Sequence, residues 1–144
     1  MAVSNATLKV TITEECIIEG YDVGVSRTNT VSSAITEYTR RIYEVPTAMT
    51  AIIIFAGKSG EPGAYAIDTT QYIRITNLDA VNFITVMLDH GGSDAYIKVA
   101  AGHSLLLGST NQLIDSDVSL IDLTAIKAEA DSAVVDIEWV IAST

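Results

Sequence analysis

Residues 7 to 13 set Thr7, Lys9, Thr11 and Thr13 against Leu8, Val10 and Ile12. A period of two predicts a strand with one wet and one dry face. The same alternation returns near the other end, where Ala133, Val135, Ile137, Trp139 and Ile141 share one face and Asp136 and Glu138 the other. That pattern predicts a half-buried strand, entered through a hairpin turn at Ala130-Asp131-Ser132. Between Gln71 and Gly108, four short apolar runs are separated by Asn77-Leu78-Asp79, by Gly91-Gly92-Ser93-Asp94 and by Ala101-Gly102. Turn-forming punctuation of this kind predicts consecutive antiparallel strands. Residues 36 to 45, TEYTRRIYEV, are rich in β-branched and aromatic types, and Pro46 interrupts pairing before TAIIIFA at 50 to 56. The second run is apolar on both faces, so both faces need cover, either from the same chain or from a neighbouring subunit.

Two stretches are less regular. From Gly20 to Ser33 the sequence GYDVGVSRTNTVSS has few apolar residues and many turn formers. It is long for an internal connection, and it reads as a functional loop or as an arm, spanning about 20–34, that orders against a neighbour. Residues 118 to 129 resume an apolar pattern that fits either a strand or a short helix. Evenly spaced strands with no convincing helical period predict an all-β fold, an antiparallel β-sandwich or a jelly-roll-like barrel. At 144 residues, one domain over 1–144 with one core is expected.

Charge changes the picture more than size does. Asp and Glu number 18 against 8 Lys and Arg, a formal net charge of −10. Such a surface repels phosphate backbones, and the cations are dispersed apart from Arg40-Arg41, so direct nucleic-acid binding is not expected. No stretch approaches the roughly 20 consecutive apolar residues of a membrane-spanning helix, and no membrane partner is expected. Cys16 is the only cysteine, which excludes a disulfide or a cysteine-based metal site within one chain and fits folding in a reducing compartment. On a predicted strand, Cys16 reads as a small buried hydrophobe. The start, MAVSNATLKV, has neither the basic opening nor the apolar centre of a signal peptide, so the sequon Asn5-Ala6-Thr7 reads as a chance match.

Few residues offer chemistry. Gly57-Lys58-Ser59 ends like a phosphate-binding loop, but Ile52 stands where the first glycine belongs, and an ordinary loop is the reading. His90, with Asp89 and Asp94 nearby, lacks the partners of a metal site and reads as a polar turn, as does His103. Asp115-Ser116-Asp117 with Asp122 lacks the glycine and distal glutamate of a calcium loop, and reads as a solvated acidic turn. Neither histidine lies in a nucleophile motif, so no catalytic residue, metal or cofactor is assigned. The candidate partner-contacting residues are Tyr21 and Arg27 in the arm, and Tyr38, Arg40, Arg41 and Tyr43 on the following strand. Arginines among tyrosines can grip an acidic neighbour, and an exposed strand face explains them as well.

The opening MAVSNATLKVTITE, the block YIRITNLDAVNFITVML with KVAAGHSLLL, and the closing ADSAVVDIEWVIAST together resemble small virion structural proteins of tailed bacteriophages. The features shared are those of the fold, with Asn77 and Gly102 at turns, and they carry no catalytic residue. The resemblance implies a non-enzymatic protein of the virion, made in the host bacterial cytoplasm. Its partners would be copies of itself and other virion proteins, the major capsid protein first. An auxiliary capsid role, as a decoration or cement subunit, is favoured for a short acidic chain. A tail-tube or head-to-tail connector subunit is the alternative, and a carbohydrate- or ligand-binding jelly-roll domain is a second. An enzyme is the weakest option, since it needs His90 or His103 beside a carboxylate in a pocket.

Overall fold

Strands form where the alternating runs predict them, but they pair in an order that the one-dimensional pattern does not contain. The computed structural model describes residues 5–56, 65–90, 92, 94–108 and 123–144. Its first elements are β1 (Ala6–Thr13), β2 (Ile17–Ile18), β3 (Tyr21–Asp22), β4 (Ser26–Ile35), β5 (Glu37–Val45), β6 (Thr50–Ala56) and β7 (Tyr65–Ala66). A short 3-10 turn, Ile67–Thr69, leads into β8 (Thr70–Asn77), followed by β9 (Ile84–Asp89), β10 (Ala95–Val99) and β11 (Ser104–Leu107). Last come β12 (Ala125–Ala130) and β13 (Val135–Ser143). The motifs Gly57-Lys58-Ser59 and Asp115-Ser116-Asp117 with Asp122 lie outside the described residues, as do Gly91 and Ser93 of one predicted turn.

Two open sheets face each other, a four-stranded one in the order β11-β8-β13-β5 and a five-stranded one in the order β10-β9-β12-β6-β7. The chain is therefore an antiparallel β-sandwich and not a closed barrel. Among the described residues, only the short β6–β7 pairing is parallel. Inward side chains from both sheets form one apolar core. Ile75, Ile137 and Ile141 of one sheet and Ile53, Val86 and Ile126 of the other are all buried in it. Full burial of a side chain of this size is worth about 1.5–3 kcal/mol.

The block from Gln71 to Gly108 forms the expected antiparallel strands but shares them between the two sheets. β8 pairs with β11 in one sheet, and β9 pairs with β10 in the other, so one hairpin nests inside a wider arch. Asn77 ties the arch together from a fully buried position. Its Nδ2 donates to the carbonyls of Asn82 at 2.9 Å and Val99 at 3.2 Å, while its Oδ1 accepts from the N–H of Asp79 at 2.9 Å. Asp79 continues the turn by accepting from the N–H groups of Val81 and Asn82, each at 2.7 Å. Those backbone donors hold its carboxyl below the usual range, because they favour the charged form. Ala130-Asp131-Ser132 likewise makes no hairpin, since β12 and β13 belong to different sheets.

Three further expectations are corrected. The last strand is not half-buried: β13 is central, and from Ile137 to Ser143 both of its faces are covered. Residues 26–35 form a strand rather than a loop, because β-branched Thr28, Thr30 and Val31 suit pairing with β1. Residue 16 lies between strands with Cys16 exposed, not buried within one. The apolar TAIIIFA run resolves unevenly. A bulge beside Ile126 breaks its register with β12, Ile52, Ile53 and Phe55 are buried, and Ile54 remains 58% exposed on the outer face.

Candidate interaction surface

β1 and β4 make a two-stranded ribbon outside the sandwich proper. Their register places Ile12 opposite Arg27, Val10 opposite Asn29 and Thr11 opposite Thr28. One ribbon face is therefore polar, and Thr11 and Thr28 hydroxyls bond across it at 2.8 Å. The other face carries Leu8 and Val10, which pack with Val31 onto Ile35, Tyr72, Val140 and Ala142. This small second core covers the outer face of the four-stranded sheet at one end. Burial pushes the Tyr72 phenol above its ordinary value of 10.0.

Past Val10 the ribbon loses its support but not its apolar residues. Ile12 and Val25 are about half exposed, and at the tip Ile17, Ile18 and Tyr21 are 58%, 55% and 76% exposed. The tip is nevertheless tightly specified. Ile18 pairs with Tyr21 across Glu19 and Gly20, whose φ values of 50° and 86° meet the type I′ requirement for positive φ at both central residues. Below the turn, Asp22 Oδ1 accepts from the N–H of Cys16 at 3.1 Å and of Gly24 at 2.9 Å. The Gly24 and Cys16 amides hold the Asp22 carboxyl below its usual value. Gly24 admits no side chain, since a Cβ there would stand 1.9 Å from the carbonyl oxygen of Glu14.

Beneath the ribbon, the outer face of the four-stranded sheet carries an ion triad. Glu138 on β13 lies between Arg40 on β5 and Arg74 on β8, because the register aligns β5, β13 and β8 side by side. Arg40 Nε donates to Oε2 at 2.6 Å, and Arg74 Nη2 donates to Oε1 at 2.5 Å. The Arg40 hydrogen bond, reinforced by Arg74, keeps Glu138 below the usual carboxylate range despite its burial. This explains how a glutamate on the expected wet face is almost wholly covered. Between β1 and this face runs an open cleft of about 440 Å³, with Lys9, Ile12, Tyr38, Arg74 and Leu106 among its walls.

The six residues singled out from the sequence divide between two sides of the sheet. Tyr21 stands at the ribbon tip and Arg27 on the ribbon's apolar face. Tyr38 and Arg40 point to the outer face, where the ribbon and the triad lie. Arg41 and Tyr43 point the other way. Arg41 sits over the Trp139 ring, 5.9 Å from its centroid, and Tyr43 packs on the main core. Trp139 also meets the edge of Tyr65 at 5.8 Å, so this tryptophan belongs to the core. Arg74, Glu138, Ile17 and Ile18 were not singled out. The Glu-Gly dipeptide framed by Ile17-Ile18 and Tyr21 is the one local signal for the tip, while cross-strand partners of Glu138 need a register.

Among the described residues, chemistry elsewhere is sparse. His103 is exposed, with Nδ1 2.8 Å from the carbonyl oxygen of Ala101. Lys127 pairs with Asp89 at 2.7 Å on the outer face of the five-stranded sheet. Among the described residues, no group of three or more His, Cys, Asp or Glu is placed to hold a metal ion. Comparison with known proteins finds no matching protein-family model, no matching curated protein and no matching solved structure.

Proposed function

We propose that this chain is a non-enzymatic structural subunit of a bacteriophage virion, working by association and not by turnover. The role favoured is an auxiliary capsid subunit, with the major capsid protein and further copies of itself as partners. One observation carries the reading of an assembly subunit: a ribbon whose tip is fixed by a type I′ turn and by Asp22 yet presents Ile17, Ile18 and Tyr21 to solvent. Ordered, exposed apolar residues at one place are what a protein interface requires. The virion context rests on the resemblance of the strand-and-turn phrases described above.

Purified particles test it. The chain is expected to copurify with them in a symmetry-related number of copies, and electron microscopy then separates capsid surface from tail tube or connector. Recovery only as a free monomer, absent from particles, would overturn the proposal. A ligand-binding sandwich is the second reading, and Tyr96 favours it. Its ring is 61% exposed on the outer face of the five-stranded sheet, one strand from the Lys127–Asp89 pair. Saccharide binding that disappears in Tyr96→Ala would support that reading instead.

A further inference from the structure

The ribbon tip and the cleft at the ribbon's base are complementary in charge and in chemistry, and both belong to one chain. Between Lys9 and Arg27 the sequence holds Glu14, Glu15, Glu19 and Asp22 and no cation. The tip is thus acidic as well as apolar. The cleft has the opposite character: Lys9 and Arg74 line it, and Arg40, whose side chain is 63% exposed, flanks the same face, so that the triad with Glu138 keeps one net positive charge beside that of Lys9. On a chain with only 8 Lys and Arg, this is a local concentration of positive charge. Its remaining walls are mostly apolar, Leu8, Val10, Ile12 and Leu106 with the rings of Tyr38 and Tyr72, and the hydroxyl residues Thr11 and Ser104 complete them.

The tip cannot occupy the cleft of its own chain. β1 and β4 are paired as far as Thr13 and Ser26, and the strand rise of about 3.3 Å per residue carries Ile18 roughly 20 Å beyond Ile12. A second copy meets no such restriction. We propose that the ribbon tip of one copy docks into the cleft of the next, with Ile18 and Tyr21 against Leu106 and Tyr38, and with Glu15 and Glu19 facing Lys9 and Arg74. The contact joins unlike surfaces, so repetition produces a closed ring, of two copies where the exchange is reciprocal, or an extending row. The preorganised turn reduces the ordering cost of docking, and the opposite charges guide the approach. This inference rests on the reading of the chain as an assembly subunit and names its partner.

Two double variants of the full chain test it by sedimentation. Ile18→Ser with Tyr21→Ser disables the tip, and Lys9→Glu with Leu106→Ser disables the cleft. All four side chains are at least two-fifths exposed or lie at an exposed position, and unchanged thermal unfolding verifies that each variant folds. Wild-type chain is expected to self-associate with rising concentration, less so in high salt, and each variant to associate at least about tenfold more weakly. Mixing the two variants is decisive. One retains a cleft and the other a tip, so together they should form a 1:1 dimer that neither forms alone. A wild-type chain that stays monomeric at all concentrations would overturn the inference. So would self-association that both variants retain, or a mixture that yields no dimer. None of these results bears on whether the chain is found in particles, which is measured separately.

Discussion

Strand β13 and the ribbon tip are built from similar residues and meet opposite fates. Ile137 and Ile141 are sealed between two sheets, whereas Ile17 and Ile18 stand in solvent on a two-stranded ribbon. Both segments adopt extended backbone beside apolar neighbours, so residue type does not separate them. The difference is the presence of a second layer. β13 has the five-stranded sheet on one side and the ribbon base with the ion triad on the other. The tip has only its turn and the Asp22 clamp, which fix its shape without covering it. Order and burial are thus distinct properties here, and a surface that has the first without the second is suited to a partner.

Four substitutions measure that contrast by urea unfolding at fixed protein concentration. Ile137→Ala should cost about 2–5 kcal/mol, as expected for a cavity in a closely packed core. Asn77→Ala should cost about 1–3 kcal/mol, because the carbonyls of Asn82 and Val99 and the N–H of Asp79 lose their buried partner. Glu138→Gln should cost about 1–2 kcal/mol at neutral pH, with the exposure of Arg40 keeping the value modest. Its pH dependence has a definite sign. Glu138 is held below its ordinary value of 4.5, so its contribution is complete above that value and is lost as pH falls through the lower folded value. Wild type and Glu138→Gln should therefore converge in strong acid; a gap that persists unchanged at low pH would remove the ion triad from the account. Ile18→Ser comes last, with an effect within about 0.5 kcal/mol. A loss as large as that of Ile137→Ala would show that the tip belongs to the monomer's core.

The all-β class was legible because it depends on local alternation. Thr7 to Thr13 and Val135 to Ile141 read as strands from their period of two, and both form. Pairing was not legible, because it depends on which sheet each strand joins. The turns at Asn77-Leu78-Asp79 and Ala101-Gly102 mark where β8 ends and β11 begins, yet nothing local says that these two strands become neighbours. The surface was half legible for the same reason. Tyr38 and Arg40 do lie on the outer face, but Arg41, one residue on, faces inward, as strand geometry requires of adjacent positions. Glu138 looked like a solvent-facing residue, and only the register with β5 and β8 brings two guanidinium groups to it. The polar composition of residues 20–33 concealed β4, whose Thr28 and Ser26 hydroxyls bond across the ribbon to Thr11 and Thr13 of β1.

The central place of β13 also orders events during synthesis. Ribbon contacts are local: Thr11 and Thr28 are 17 residues apart, whereas Arg40 and Glu138 are 98 apart. Contacts near in sequence close at lower entropic cost and form sooner. A nascent chain leaving the ribosome thus exposes Thr11 and Thr28 together long before Val140 and Ala142, on which the ribbon base rests, have been translated. Through that interval β5 and β8 both lack the strand that separates them. The cleft, whose walls include side chains of β1, β5, β8 and β11, stays incomplete until β13 inserts between β5 and β8. The ribbon therefore takes its shape early, and the face on which its base rests is assembled last.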